Sequence, residues 1–178
     1  MNTSPDTSST VHDSHRSVVL VANRQLARLR KIERSDLSAL EGLERTAALD
    51  SVPHVPLTAS NIVALHDAGW TIQVAVEPID GRVVGYVVYG LIDMKRVWIE
   101  RFVVDRDFRK RGVGRQLILH AVQWAVEIQA NDVAADVPQP ATAAQCLMRH
   151  CRFRVPRALA HVYRCSSTEP FHFARALS

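Results

Sequence analysis

The chain has 178 residues, of which 47% are hydrophobic, and a formal net charge of +4. This length predicts one domain with an adequate core, and no stretch approaches the roughly 20 apolar residues of a membrane-spanning helix. The apolar run at 18–22 follows a segment of little basic character and makes a poor signal peptide. We therefore expect a cytoplasmic protein with no membrane partner, and the spacing of its three cysteines predicts no metal site.

The N-terminal part of the chain divides into a tail and the start of a domain. Residues 1–17 are rich in Ser, Thr, Asp and His and lack hydrophobic periodicity, which predicts a disordered tail. A single domain is expected over 18–178. Its first strand is predicted near 27–33, and two helices are predicted after it, at about 36–49 and 58–69.

Three strands are predicted next. Residues 70–77 alternate between apolar and polar, which indicates a half-buried strand, and 83–92 are almost all apolar, which suits a central strand. The third strand is predicted at 97–104. Short polar turns separate the three segments, so we expect an antiparallel meander.

The remaining elements complete the predicted fold. A long helix at 113–130 leads to a short strand at 132–137, which should run parallel to its neighbour because a helix connects them. A helix at 141–151 and two antiparallel strands at 152–163 and 170–177 are expected after it. The fold class is α/β (α+β), with a mixed, mostly antiparallel central sheet flanked by helices.

The run Arg109-Lys110-Arg111-Gly112-Val113-Gly114 follows a predicted strand and opens a predicted helix. Backbone N–H groups in a first helical turn are unpartnered, and the helix dipole favours an anion there. Residues 95–115 hold eight Lys/Arg against three acidic residues, a local net charge of +5. An anionic small ligand explains this surplus better than nucleic acid, because aromatic residues are sparse and no nucleic-acid-binding module is recognised. A merely solvated basic face is the alternative.

The pattern Arg109-x-x-Gly112-x-Gly114, placed between a strand and a long helix, resembles the acetyl-CoA signature of the GNAT acyltransferases. The likeness extends over 27–178. It implies the GNAT fold, acetyl-CoA as cosubstrate, and a sheet that splits beside the strand at 97–104. It also implies two sets of cofactor-binding residues. The pantetheine arm would pair with the backbone of Phe102, Val103 and Val104, and the pyrophosphate would be bound by Arg109, Lys110, Arg111, Gly112, Val113, Gly114 and Arg115.

The resemblance implies direct acetyl transfer to an amine, which requires a base because an ammonium is not a nucleophile. Glu100 resembles the Glu of polyamine-type members, nine residues before Arg109. Asp136 matches the catalytic Glu of ribosomal-protein alanine acetyltransferases, shortened by one methylene. Glu100 is the preferred base, and an ion pair with a neighbouring arginine is the alternative interpretation of its charge.

The general acid is where the chain departs from the family. Met148 stands where many members carry a Tyr, and Ala141 where an Asn often contacts the cofactor. Methionine cannot donate a proton. Tyr163 is a candidate acid, although a structural role is favoured for it. The departures keep a second hypothesis open, an acyl-CoA-binding sensor with impaired catalysis.

The acceptor is not determined by these motifs. The segment 153–177 is similar to the C-terminal end of the ribosomal-protein alanine acetyltransferases, which favours a peptide or protein N-terminus. An amine-bearing small molecule is the alternative partner. We expect the loop at 51–59 to shape the acceptor cleft. A homodimer is common in the family and stays open.

Overall fold

The computed structural model describes residues 27–50, 55–93, 95–156 and 170–177. Within them, six strands form one sheet in the order β1-β2-β3-β4-β5-β6. The predicted tail, and the part of the predicted strand 152–163 that contains Tyr163, lie outside the described residues. The strands are β1 (Arg28–Lys31), β2 (Thr71–Val76), β3 (Val83–Asp93), β4 (Arg96–Val104), β5 (Asp132–Val137) and β6 (Phe171–Ala176). The helices are α1 (Leu37–Ala48), α2 (Ala59–Asp67), α3 (Val113–Glu127) and α4 (Thr142–His150), with short 3-10 turns at Arg34–Asp36 and Arg106–Phe108.

Strand directions follow from the connections. The short links from β2 to β3 and from β3 to β4 give antiparallel pairs, so the predicted meander is confirmed. β4 and β5 are parallel because α3 carries the chain back to the same end of the sheet. β5 and β6 are antiparallel. The predicted mixed, mostly antiparallel sheet flanked by helices is therefore confirmed.

Each face of the sheet packs against its own pair of helices. The α3-side core is formed by α3 and α4 on residues such as Val97, Ile99 and Val133. The α1-side core is formed by α1 and α2 on residues such as Val74 and Val103. Each fully buried aliphatic side chain contributes about 1.5–3 kcal/mol relative to an exposed one, so two continuous cores fix the sheet between the helices.

Two boundaries differ from the sequence prediction. α3 ends at Glu127, three residues before the predicted end, because Gln129 adopts the left-handed conformation with φ 57°. Ala130 N–H then donates to Ala125 O at 2.9 Å, and Ala130 remains buried, so its apolar character extended the helical pattern past the true end. In the described part of the predicted strand 152–163, pairing is limited to a bridge between Arg154 and Ala174.

The start of α2 illustrates how local sequence sets an element. Thr58 has an extended backbone and its hydroxyl accepts a hydrogen bond from Asn61 N–H at 3.3 Å, while the Asn61 side chain binds back to the Thr58 backbone. This reciprocal cap satisfies two donors that would otherwise be unpaired. Among the residues that the structure describes, no helix is long and apolar enough to cross a membrane.

Candidate functional site

The loop before α3 has the backbone of an anion-binding turn. Gly112 is the N-cap with φ 92°, and Lys110 also has a positive φ, 58°. A glycine adopts this conformation without the strain that a Cβ would add. In the described part of the chain, no side chain caps the first turn of α3. The N–H groups of that turn, beginning at Val113, therefore face a loop that a ligand oxygen could enter.

The basic residues of this loop have different roles. The Arg109 side chain contacts the end of β4 and the segment after α1. Its Nε donates to Val104 O at 3.1 Å, and its Nη1 lies 2.5 Å from Asp50 Oδ2. Lys110, Arg111 and Arg115 are exposed. Arg109 therefore braces the turn, while the other three cations are exposed in the loop or in the first turn of α3 and could neutralise a bound pyrophosphate. The Arg111 guanidinium also lies over the Phe108 ring, 5.2 Å from its centroid.

Gly114 has a packing role that the sequence did not indicate. A Cβ at this position would lie 2.9 Å from Leu147 Cδ2 and 3.5 Å from Val104 Cγ2. The glycine thus lets α3 approach α4 and the end of β4 closely. The predicted close approach of a ligand to the Gly114 backbone stays a prediction.

The sheet is split between β4 and β5. Their ladder consists of Arg96 with Asp132, Val97 with Val133 and Trp98 with Ala134, and it ends there although both strands continue. At the closed end, Arg96 donates to both carboxylate oxygens of Asp132 at 2.8 Å.

The open end of the split fits the cosubstrate that the resemblance implies. The segment of β4 from Phe102 to Val104 lies beyond the last β4–β5 pair, so its β5-facing edge has no ladder with β5. Phe102 and Val104 are half-buried and Val103 is buried. A pantetheine arm, which carries amide groups, can hydrogen-bond to such an edge. The loop before α3, residues 109–112, which we call the α3 loop, follows this strand after the 3-10 turn Arg106–Phe108.

A β-bulge places Glu100 in the strand beside the split. Ile99 pairs with Tyr89 and Arg101 pairs with Val88, so Glu100 has no opposite residue on β3. The bulge reverses the alternation of β4, since Ile99 packs in the α3-side core and Val103, an even number of residues later, packs in the α1-side core. Glu100 is exposed, and its Oε2 accepts a hydrogen bond from Trp98 Nε1 at 3.1 Å.

The second candidate carboxylate lies at the other edge of the split. Asp136 is exposed on β5, and its Oδ1 lies 3.0 Å from His172 Nδ1. The His172 ring stacks on Trp98 with centroids 5.6 Å apart and planes 27° apart. The structure thus links Glu100 and Asp136 through two aromatic rings, and these four side chains form what we call the acceptor-side strip.

Trp98 and His172 were not predicted as site residues. Trp98 was recognisable in principle, because it lies two residues before Glu100 in one strand. His172 could not be found without the strand register, which sets it directly opposite Asp136 on β6.

The contacts of Glu100 bear on its alternative interpretation, an ion pair with a neighbouring arginine. Among the described residues, no lysine or arginine forms an ion pair with Glu100, and Arg101 points elsewhere. Its Nη1 lies 3.9 Å from Glu44 Oε2 on α1, and its Nη2 donates to Val55 O at 3.4 Å. Glu44 also accepts hydrogen bonds from the Tyr86 hydroxyl and from Leu57 N–H.

Met148 and Ala141, the two residues that depart from the family pattern, both pack in the core of the protein. Met148 is fully buried in the α3-side core, and Ala141 packs against the same core. A buried thioether has no proton to give, so a proton donor to the leaving thiolate would have to come from another group. Tyr163 lies outside the described residues.

Comparisons with known proteins identify the family and the fold. A sequence profile of the acetyltransferase (GNAT) family matches residues 37–153. No curated protein sequence matches the chain significantly.

Similar folds occur in solved structures. A phosphinothricin acetyltransferase from Sinorhizobium meliloti in complex with AcCoA is 16% identical, with TM-score 0.68 over 86% of this chain and 89% of that one. A ribosomal-protein-alanine N-acetyltransferase from Brucella melitensis is 19% identical, with TM-score 0.66 over 84% and 99%. The PaiA N-acetyltransferase from Thermoplasma acidophilum in complex with coenzyme A is 11% identical, with TM-score 0.70 over 85% and 99%. At these identities the likeness shows a common fold.

Proposed function

The chain belongs to the acetyltransferase (GNAT) family and is accordingly an N-acetyltransferase, and we propose that it transfers an acetyl group from acetyl-CoA directly to a primary amine bound over the acceptor-side strip. The single observation that supports this best is the split beside β4, which opens next to Glu100 at one end and to the α3 loop at the other. A peptide or protein N-terminus is the acceptor that the C-terminal pattern favours, with a small amine as the alternative.

The cosubstrate would supply an activated acetyl thioester. The backbone of Phe102, Val103 and Val104 would hold its pantetheine arm, and the residues from Lys110 to Arg115 would hold its pyrophosphate, with Arg109 bracing their turn on Val104 O. These assignments rest on the open strand edge and on the left-handed N-cap glycine. They use backbone donors mainly, which explains how apolar strand residues can belong to a binding site.

Glu100 would act as the base for the acceptor amine. Its carboxylate is exposed on the α1 side of β4, and it accepts from Trp98 Nε1, which limits the orientations of the carboxylate. A positioned base typically contributes about 10²–10⁴-fold to such a reaction. Asp136 would play a secondary part, because it lies across the split with His172 beside it.

Cosubstrate binding is tested by calorimetry with acetyl-CoA. We expect the double variant Arg111→Glu/Arg115→Glu to bind at least tenfold more weakly than the parent, because two exposed cations in and beside the α3 loop become anions. The matched control is Arg45→Glu, an exposed arginine on α1, which should bind like the parent. Equal affinity in the parent and the double variant would contradict the assignment of this loop.

Turnover is tested by detecting free CoA with a panel of amines that includes one peptide with a free N-terminus and the same peptide N-terminally blocked. We expect Glu100→Gln to lower kcat/KM for the acceptor by about 10²–10⁴-fold and Asp136→Asn to lower it less. The KM for acetyl-CoA should stay unchanged in both variants. Binding of acetyl-CoA without turnover of any amine would instead support the acyl-CoA-binding sensor.

A further inference from the structure

A buried carboxylate on α1 has no part in the mechanism above. The Glu44 side chain is 0% exposed, although an isolated charge in a protein interior is strongly unfavourable. Three groups among the described residues help to compensate it. The Tyr86 hydroxyl donates to Oε1, Leu57 N–H donates to Oε2 at 2.9 Å, and the Arg101 guanidinium lies 3.9 Å from Oε2. Burial and the nearby Glu44 carboxylate raise the pKa of Tyr86 far above its ordinary value, so this phenol stays a donor at every pH of interest.

The cation in this group is the immediate neighbour of the proposed base. Because of the bulge, Glu100 and Arg101 are consecutive residues that both project to the α1 side of β4. The Arg101 guanidinium therefore lies near one carboxylate, Glu44, while a second, Glu100, is at the preceding position of the same strand. The Glu44 carboxylate is fully buried whereas Glu100 is exposed, and an ion pair is stronger where water is excluded. The Val55 carbonyl also accepts from Arg101 at 3.4 Å and directs it away from the strip.

We propose that Glu44 is a positioning residue for acetyl transfer, which holds Arg101 and so prevents a salt bridge between Arg101 and Glu100. This inference rests on the proposed function, because it assumes that Glu100 is the base. A guanidinium next to a carboxylate favours the ionised form of the carboxylate, which makes the carboxylate a poorer proton acceptor. Glu44 thus protects the basicity of Glu100 without contacting the acceptor.

The test is a charge-release experiment on the full chain. Glu44→Gln frees Arg101 to pair with Glu100, so we expect kcat/KM for the acceptor amine to fall about tenfold at neutral pH and the acid limb of its pH profile to move to lower pH. The double variant Glu44→Gln/Arg101→Gln also removes the Arg101 cation that would pair with Glu100. It should be more active than Glu44→Gln alone, with the acid limb returned towards that of the parent.

A purely structural role predicts the opposite order, because the double variant removes more of the buried group and should be no more active than the single one. That result, or an unmoved acid limb in Glu44→Gln, would overturn the proposal. If Glu44→Gln fails to fold, Glu44→Asp replaces it, since the shorter carboxylate withdraws from Arg101 but keeps its charge. The acid limb of the pH profile of Glu44→Asp should also move to lower pH, and an unchanged acid limb would likewise overturn the proposal.

Glu41 provides the matched control on the same helix. Its Oε1 accepts from Ala59 N–H at 2.5 Å, so it anchors the start of α2 but does not contact Arg101. Glu41→Gln should keep the parental pH profile. Acetyl-CoA affinity, measured by calorimetry for every variant, shows that each one folds. The proposed base and the proposed role of Glu44 fail separately. Full activity in Glu100→Gln refutes Glu100 as the base. An inactive Glu100→Gln, together with no recovery of activity in Glu44→Gln/Arg101→Gln, refutes only the role of Glu44.

Discussion

Two glycines of this chain have opposite surroundings, and each can be replaced by alanine without changing charge. A Cβ on Gly85, near the start of β3, would lie 2.9 Å from Val103 O, 3.3 Å from Leu117 Cδ1 and 3.4 Å from Val104 Cα. Backbone atoms cannot move aside as a side-chain end can. We expect Gly85→Ala to lower the free energy of unfolding by about 1–3 kcal/mol, measured by urea denaturation.

Gly42 is the control, because it lies inside α1 and no described heavy atom lies within 4 Å of its Cβ position. Alanine in a helix interior is about 0.5–1 kcal/mol more favourable than glycine. Gly42→Ala should therefore raise the melting temperature by a few degrees while Gly85→Ala lowers it. An unchanged or raised melting temperature of Gly85→Ala would contradict this close approach of β3 to β4.

At the scale of elements, a partly buried ion pair joins β1 to the 3-10 turn before α1. Asp36 accepts from Arg30 Nη1 at 2.6 Å, from Arg30 Nη2 at 2.8 Å and from Glu33 N–H at 2.8 Å. Burial alone would raise the pKa of Asp36, but the hydrogen bonds from Arg30 and Glu33 and the charge of Arg30 outweigh it, so the pKa is lowered. Because its pKa is lowered, ionised Asp36 stabilises the folded chain at pH values above the ordinary pKa of an aspartate. This stabilisation is lost as the pH falls through the pKa of Asp36 in the folded state.

The expected signature is therefore a pH-dependent difference between the parent and Asp36→Asn. Urea denaturation should show the parent more stable at pH 7, with the difference shrinking below about pH 4. Asp67→Asn serves as a control, since its exposed side chain on α2 should contribute within about 0.5 kcal/mol. A constant difference between pH 7 and pH 3 would mean that the Asn variant loses packing rather than a charge interaction.

The elements differ in how far the sequence determines them. α1 and the meander were predictable, because hydrophobic periodicity and polar turns coincide there. The bulge at Glu100 was not, since residues 97–104 show no glycine or break, and the reversal of faces appears only in the pairing with β3. The end of α3 was missed for a related reason, because Ala130 is buried in its loop as it would be in a helix.

At the scale of the whole molecule, the sequence predicted the site as two separate pieces. The turn from Arg109 to Gly114 was recognisable because adjacent residues carry its chemistry. Of the acceptor-side strip, Glu100 and Asp136 were predicted, whereas the contact between Trp98 and His172 was not, because these two rings meet only through the order of β4, β5 and β6. The domain bounds, a cytoplasmic location, a homodimer and the absence of a metal stay predictions.

The split sheet also predicts how a ligand should act on stability. One wall of the split is β4, attached to both cores, and the other is β5, joined to β4 by three residue pairs. Acetyl-CoA bound across this opening would connect the two walls in the folded state alone. At a concentration 100 times its Kd it should add about 2.7 kcal/mol to the free energy of unfolding. For a chain of this size, that corresponds to a rise in Tm of roughly 5–10 °C.

Two of the variants above distinguish stabilisation by acetyl-CoA bound in the split from non-specific stabilisation. Glu100→Gln should show the full rise in Tm, because its side chain faces the acceptor side rather than the cosubstrate. At the same acetyl-CoA concentration, a tenfold loss of affinity in Arg111→Glu/Arg115→Glu should reduce the free energy added by the ligand from about 2.7 to about 1.4 kcal/mol, and the rise in Tm should shrink in proportion. The reverse order would place the ligand at the acceptor-side strip and away from the α3 loop. Agreement between the calorimetric Kd and the Tm shift, variant by variant, ties the stability of the sheet to occupancy of its opening.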